Sequence, residues 1–266
     1  MKLKCLSLIM DFLLIFFCSS SYLSARQSVG NQQAIPMLQS AYAALMGHSN
    51  VSDVTLTGTV RRIVGSDDET GTATLKALAS GAGRVDLSLP SGQRIEVENM
   101  AAPTPAGAWA GPDGISHAMP YHNLLAEPAW FFPAFAIAHR LSTGYVATYV
   151  GQETREGHTL HHISVSQLSS LRAPPGLASF EHLTQVEFFL DSTTFLPTAI
   201  TFNLHPDGNM GIDIPVEIRF SSYQAVSGAQ VPFHVEKFLN NSLILDFQAQ
   251  TVTANTGLTI SMFNTF

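Results

Sequence analysis

The sequence predicts an α+β fold that is mostly β. We expect one strongly curved antiparallel sheet, an open half-barrel of about ten strands, with helices covering its concave face. Three observations lead to this prediction: apolar residues recur at every second position through most of the chain, turn-forming residues separate these segments, and only two segments have helical character. No linker rich in proline or charge interrupts the pattern, so we expect a single domain over residues 26–266.

The first 25 residues have the pattern of an export signal. A positively charged start precedes the apolar run 6–17, and small residues follow it. We therefore predict a signal peptide over residues 1–25 and a periplasmic or secreted mature chain without a transmembrane span. An uncleaved anchor is the alternative, although a bilayer span needs about 20 apolar residues. Cys5 and Cys18 are the only cysteines and both lie here, so the mature chain can form no disulfide.

The first half of the mature chain predicts a helix and then a four-stranded meander. The segment 35–46 is rich in helix formers, with Pro36 near its start and Gly47 just after its end. From Val54 onward the apolar period changes to two, which indicates half-buried strands. The polar run 65–71 is expected to form the first turn. The inward apolar residues of the four strands are Val54 and Leu56, Ala73 and Leu75, Val85 and Leu87, and Ile95 and Val97.

The centre of the chain differs in character from the strands around it. After a short predicted strand at 108–110, the segment 124–138 carries a single charge and two prolines. We expect one or two short helices that are apolar on most sides. Because such helices must be covered, the segment either fills a core or covers a cavity.

The remainder of the chain predicts further antiparallel strands. Each one is separated from the next by residues that favour turns, such as the adjacent pair Asn240 and Asn241. The predicted strands lie at 145–150, 158–167, 186–190, 200–202, 216–220, 231–235 and 243–247.

Charge and motifs exclude several classes of function. The net charge is −7, and the 13 Lys and Arg residues are scattered, which is incompatible with a nucleic-acid-binding surface. Neither a phosphate-binding G-x-x-x-x-G-K loop nor a G-x-S-x-G nucleophile motif is present in the sequence. Three histidines at 158, 161 and 162 do not fit chelation, since His158 and His162 would stand about 13 Å apart on one strand face while His161 points away. We therefore predict no metal and no cofactor.

Two acidic residues and the serines are candidate catalytic residues. Glu96 and Glu98 alternate with Ile95 and Val97, so we expect the two carboxylates on a solvated face. No spacing links a serine to a histidine and an acid, although such triads assemble in space and not in sequence. A hydrolase therefore remains as a third and weaker alternative.

The aromatic residues of the centre have two interpretations. Either they form the packed core of an ordinary β-protein, or they cover a cavity beneath a curved sheet that apolar chains can enter. The residues concerned are Trp109, Trp130, Phe131, Phe132 and Phe135.

Two local sequence segments resemble motifs of the outer-membrane lipoprotein carrier and sorting superfamily, which includes the LolA, LolB and RseB/MucB-type proteins. The segment 188–200 looks like the family's strand, Asp-x-x-Thr turn, Leu-Pro and second strand, with Phe195 where a glycine is usual. The segment 218–233 looks like a second hairpin of the family, in which a strand ending in Tyr is followed by a turn and a strand with the pattern Gly-x-x-Val-Pro. The order of elements also matches, from export signal and first helix through meander and helical insertion to closing meander.

This resemblance implies an open half-barrel that holds acyl chains by apolar contact, and it carries over no catalytic residue. We therefore predict a non-enzymatic protein that binds a lipid or a lipoprotein acyl chain, with a lipid, an acylated protein or an envelope protein as partner. The alternative is a periplasmic sensor or interaction module whose core is filled by its own side chains. The candidate ligand-binding residues are Val54, Leu56, Val85, Leu87, Ile95, Trp109, Trp130, Phe131, Phe132 and Phe135.

Overall fold

The computed structural model describes residues 32–100, 105–126, 129–142, 144–168 and 179–265. The predicted signal peptide lies outside this part of the chain. Within the described residues, thirteen antiparallel strands form one curved, open sheet, which confirms the predicted fold class. The strands are β1 Asp53–Val64, β2 Asp67–Leu78, β3 Ala82–Leu89, β4 Gly92–Asn99, β5 Ala106–Ala110, β6 Ser116–Ala118, β7 Tyr145–Arg155, β8 His158–Gln167, β9 Val186–Asp191, β10 Pro197–Leu204, β11 Ile214–Val226, β12 Ala229–Leu239 and β13 Ser242–Ala254.

The strands follow the chain in two meanders that meet in the middle of the sheet. Their spatial order is β6-β5-β4-β3-β2-β1-β13-β12-β11-β10-β9-β8-β7, so the first and last strands of the long run, β1 and β13, are neighbours. The sheet has more than the expected ten strands partly because β6 is a three-residue edge strand with no apolar alternation. The predicted turn at 65–71 is also much shorter, since β2 already begins at Asp67 and only Gly65 and Ser66 connect the hairpin.

The first helix, α1 (residues 32–46), packs on the inner face of the sheet. It buries Ala34, Leu38, Ala41 and Leu45 completely, and this spacing of three and four residues places them on one side of the helix. Gly47 ends the helix with a φ of +54°, a conformation that glycine adopts without steric cost. These residues and the inner-face side chains of β1 to β3 belong to one large hydrophobic core.

Three further helices in the described part of the chain are short. They are α2 Tyr121–Leu124, α3 Pro133–Arg140 and α4 Phe180–Leu183, and a 3₁₀ turn follows the last strand at Ile260–Phe263. A proline at its first position begins α3, which is a favoured place because that backbone amide has no partner within the helix. Among the residues described, no helix combines the length and hydrophobicity that crossing a bilayer requires.

Cross-strand pairing defines the two faces of the sheet, because directly paired residues point to the same side. Val85 of β3 pairs with Glu96 of β4, whereas Ile95 pairs with Asp86. The carboxylates of β4 therefore share the inner face with Val85, and Glu98 is only 3% exposed. The expectation of a solvated face for Glu96 and Glu98 is wrong, because the 3₁₀ turn packs Phe263 against Val97 on the outer face and thereby covers the apolar side of β4.

A hydrogen bond connects the two segments, 188–200 and 218–233, that resemble the family. Asp191 accepts hydrogen bonds from the backbone amides of Thr193 and Thr194, which forms the expected turn between β9 and β10. Phe195 closes this turn with a φ of +60°, the conformation for which glycine is the usual residue. Tyr223 of the second segment donates a 2.8 Å hydrogen bond to the carbonyl of Pro197 in the first segment.

Asp53 fastens the start of β1 to the chain that follows β13. Its Oδ1 accepts hydrogen bonds from the amide and hydroxyl of Thr256, at 2.8 and 3.0 Å, and its Oδ2 accepts one from the amide of Gly257. Burial alone would raise the pKa of Asp53, but these hydrogen bonds and one from Ser52 outweigh it, so the pKa lies below its ordinary value. The ionised form is therefore the one that stabilises the fold.

We expect Asp53→Ala to lower the free energy of unfolding by about 2 kcal/mol at pH 7, because hydrogen bonds to a charged acceptor are lost. The folded-state pKa is depressed, so this contribution is complete above the ordinary aspartate pKa of about 3.9 and is lost as the pH falls through the folded value. Urea unfolding of both proteins at pH 7 and pH 3 measures the difference. Asp207→Ala, at an exposed turn, is the control; an equal difference at both pH values would contradict the argument.

Candidate functional site

An open groove lies at one end of the half-barrel, between the central aromatic segment and the sheet. It encloses about 220 Å³ and its wall is more apolar than polar. Six strands and the segment before α3 contribute to it. The lining residues are Arg62, Val64, Val85, Leu87, Arg94, Ile95, Glu96, Trp109, Ala110, Trp130, Lys237, Ile244 and Leu245, and we call this the Trp109–Trp130 groove.

The structure brings half of the sequence-predicted site residues together in this groove. Val85 and Leu87 form part of its floor, and Trp109 and Trp130 form its sides. Ile95 also borders the groove, but its pairing with Asp86 and Ala110 directs the side chain toward the outer face.

The other half of the predicted residues lie in the packed core. All are at most 4% exposed and belong to the main hydrophobic cluster. Phe132 and Phe135 contact each other edge to face, with ring centroids 4.6 Å apart. The narrow space behind Trp130, which Phe131 lines, has no room for a water molecule. The residues placed in the core are Val54, Leu56, Phe131, Phe132 and Phe135.

Three neighbours hold Trp130 in position. Its indole Nε1 donates a 3.2 Å hydrogen bond to Oε1 of Glu96, and the Nζ of Lys237 lies 4.6 Å from its ring centroid. Phe131 meets the ring at 88°, with the centroids 5.5 Å apart. Because a cation over an indole face is a favourable contact, these neighbours stabilise the position of Trp130, and the wall on this side is amphipathic.

Trp109 is the exposed counterpart of Trp130. It is 45% exposed and stacks on His117, its partner on β6, with ring centroids 4.2 Å apart. Val64, which also lines the groove, is exposed to the same extent. Exposed apolar side chains that line one groove favour an occupant that removes them from water.

The polar groups of the groove are mainly cationic. Among the described residues that line the groove, Arg62, Arg94 and Lys237 are cationic and Glu96 is acidic. Burial, together with the charge of Arg94, lowers the pKa of the Arg62 guanidinium. The groove therefore combines apolar walls with cationic side chains.

Sequence reasoning missed these charged residues, although part of the signal was present. Arg62 lies an even number of residues from Val54, Leu56 and Val60, so the alternation along the strand predicts that its side chain points inward. Lys237 is likewise in phase with Val235. Arg94 had no such signal, because the apolar residues of β4 point outward.

A row of Ser221, His234 and Asp246 crosses three strands on the outer face. The Ser221 Oγ lies 3.0 Å from Nδ1 of His234, and Nε2 of His234 lies 2.9 Å from Oδ1 of Asp246. In serine hydrolases Nε2 faces the serine and Nδ1 faces the acid, which is the opposite arrangement. The three residues are absent from the groove lining, and the backbone of Ser221 is paired within the sheet. The row therefore does not provide the cleft that the hydrolase alternative requires.

Among the described residues, two groups of three have donor atoms close enough to share a cation. In each group the donor atoms lie within 4.8 Å of one another. The first consists of His182, His205 and Asp213, in which Nε2 of His182 lies 2.8 Å and Nδ1 of His205 3.4 Å from the aspartate Oδ1. The second is His234, Glu236 and Asp246. In each group a hydrogen bond between histidine and carboxylate joins two of the three residues, His182 to Asp213 and His234 to Asp246.

No protein-family model and no curated protein matches the sequence. Solved structures do match. A domain from Vibrio parahaemolyticus, assigned to outer-membrane lipoprotein sorting, shares 13% identity with a TM-score of 0.56 over 88% of this chain and 97% of the other. A LolA superfamily protein from Nitrosomonas europaea shares 10% identity with a TM-score of 0.52 over 87% and 97%. A DUF1329 family protein from Desulfovibrio piger shares 8% identity with a TM-score of 0.51 over 90% and 97%.

The similarity extends over almost the full length of each solved chain, so it concerns the whole fold and not one hairpin. At this level of identity it speaks for the fold alone. The resemblance inferred from the two local segments is thereby confirmed at the level of architecture: this chain has the open half-barrel fold of these solved structures, one of which is a LolA superfamily protein.

Proposed function

We propose that this protein is an exported, non-enzymatic carrier that binds the acyl chain of a lipid or lipoprotein in the Trp109–Trp130 groove. The observation that carries the proposal is the groove itself, whose apolar walls open at the end of the half-barrel. Each buried CH₂ group contributes about 0.8 kcal/mol to binding. Apolar cavities of about 150 Å³ already bind small hydrocarbons in other proteins.

The fold supports this proposal. One solved structure with the same architecture is assigned to outer-membrane lipoprotein sorting, and another belongs to the LolA superfamily. By analogy, the ligand would be a lipid or an acylated protein of the cell envelope, and the groove would hold part of the chain and release it to a partner. The predicted signal peptide is consistent with action in the periplasm.

A second function is favoured by a specific observation. Phe131, Phe132 and Phe135, which could have covered a large cavity, fill the core behind Trp130 instead. A protein whose interior is filled by its own aromatic rings fits a periplasmic sensor or interaction module. In that case the groove would receive an apolar side chain of an envelope protein.

Organic extraction of the purified mature protein distinguishes the two functions. We expect mass analysis of the extract to show copurifying acyl species in a stoichiometric amount, since a bound chain is released only by solvent. A mock purification from cells that lack the protein provides the background. An extract without acyl species, from protein that also fails to bind a fluorescent fatty acid, would favour the interaction module.

A further inference from the structure

Two arginines lie on the inner face at the mouth of the groove. Arg62 of β1 pairs across the sheet with Leu245 of β13, which in turn pairs with Lys237 of β12. Arg94 of β4 pairs with Leu87 of β3 on the same face. All of these residues line the groove, so the guanidinium groups and the apolar side chains bound one space.

Glu69 and Asp67 act on Arg62 through their charge, but neither forms a hydrogen bond or an ion pair with it in the described part of the chain. Glu69 is the cross-strand partner of Arg62, but it accepts hydrogen bonds from the amide and hydroxyl of Ser91 at 2.7 and 2.8 Å. Glu96 accepts the indole hydrogen bond of Trp130. The side chain of Arg62 makes no hydrogen bond or ion pair within the described part of the chain.

Arg94 is also incompletely paired. Its Nε is buried and has no hydrogen-bond partner among the described residues, and its Nη2 lies 3.5 Å from the hydroxyl of Ser91. Buried guanidinium nitrogens without acceptors are uncommon, because an unmade hydrogen bond to a charged group costs free energy. An anion bound between the two arginines would supply the missing acceptors.

We propose that the groove selects amphiphiles with an anionic head group, whose oxyanion binds between Arg62 and Arg94 while the tail lies against Leu87, Trp109 and Trp130. The proposal rests on the proposed function, since it names the class of lipid that the groove takes. Guanidinium groups bind carboxylates and phosphates through paired, charge-assisted hydrogen bonds. The apolar walls next to the arginines favour a lipid head group over a free anion.

The test compares dodecanoic acid with dodecanol, which has the same chain but a neutral head. Both are titrated below their aggregation limits against the mature protein with a bound fluorescent fatty-acid probe. We expect the acid to bind at least about tenfold more tightly than the alcohol. Arg62→Gln and Arg94→Gln should each raise the Kd of the acid about tenfold and raise the Kd of the alcohol by a much smaller factor, because a neutral hydroxyl gains no charge-assisted hydrogen bond of this strength.

Arg61→Gln is the matched control, because Arg61 is adjacent in sequence but points outward and pairs with Asp68 at 2.6 Å. It should leave both Kd values unchanged. Increasing the salt concentration with the unmodified protein provides a second measurement that does not depend on the folding of a variant. Salt should weaken binding of the acid more than binding of the alcohol.

Each outcome has a distinct meaning. Equal affinity for acid and alcohol, or unchanged affinity of both variants for the acid, would overturn the head-group assignment while leaving acyl binding intact. Failure of both compounds to bind would overturn the proposed function as well. Displacement of the acid by inorganic phosphate at similar concentrations would show a site for free anions and refute the assignment to a lipid.

Discussion

Replacing Phe132 by alanine should lower the free energy of unfolding by about 3–5 kcal/mol, the usual range for deleting a buried aromatic ring. Phe132 is 1% exposed and immediately precedes α3, where its ring packs against Phe135 at 4.6 Å. Removing the ring leaves a cavity in the main core, and rigid strands cannot collapse to fill it. Urea unfolding followed by circular dichroism measures the loss.

Phe238→Ala is the matched control for this experiment. Phe238 is partly exposed on the outer face, and Arg219 lies 4.5 Å above its ring. Its loss should cost less than half as much as that of Phe132. If Phe132→Ala unfolded like the unmodified protein but no longer bound a fatty-acid probe, Phe132 would belong to a ligand cavity. The packed-core description would then be wrong.

Replacing Trp109 by alanine should weaken binding of a fluorescent fatty acid roughly thirtyfold, with little change in stability. The side chain is 45% exposed and forms one side of the groove, so an acyl chain can cover it. Covering half of an indole removes about 100 Å² of apolar surface from water, which is worth about 2 kcal/mol. Fluorescence titration gives the Kd, and a thermal melt checks the fold.

Tyr121→Ala serves as the control for Trp109→Ala. Tyr121 is an aromatic residue of similar exposure, 51%, and does not line the groove. Its removal should leave the Kd within about twofold of the original value. Equal losses of affinity in the two variants would show that the probe binds to exposed aromatic surface in general and not to the groove.

The sequence was sufficient to predict the fold class, because alternation and turn residues act over short distances. The inward positions of Val85 and Leu87 followed directly from that alternation. On β4 the same rule failed, since Phe263 and Leu258 from the end of the chain cover Ile95 and Val97 on the outer face. The same alternating sequence results whether the apolar side of a strand is covered by a distant segment or by the main core.

The candidate site was less predictable for a related reason. A ring that fills a core and a ring that borders a groove are both apolar and both lie in the same segment. Phe131 and Trp130 are consecutive residues, yet only Trp130 lines the groove, whereas Phe131 borders only the narrow space behind it. Only the three-dimensional distance between the central segment and β12 and β13 separates the two cases.

The two free edges of the open sheet have a mechanical consequence for the groove. Within the described chain, β6 and β7 each pair with a neighbour on one side only, and Trp109 stands on β5, next to the free edge at β6. In a closed barrel the circumference is locked by inter-strand hydrogen bonds. Among the described strands no ladder joins β6 to β7, so the width of the half-barrel beside Trp109 is set by side-chain packing and by the bending stiffness of the edge strands.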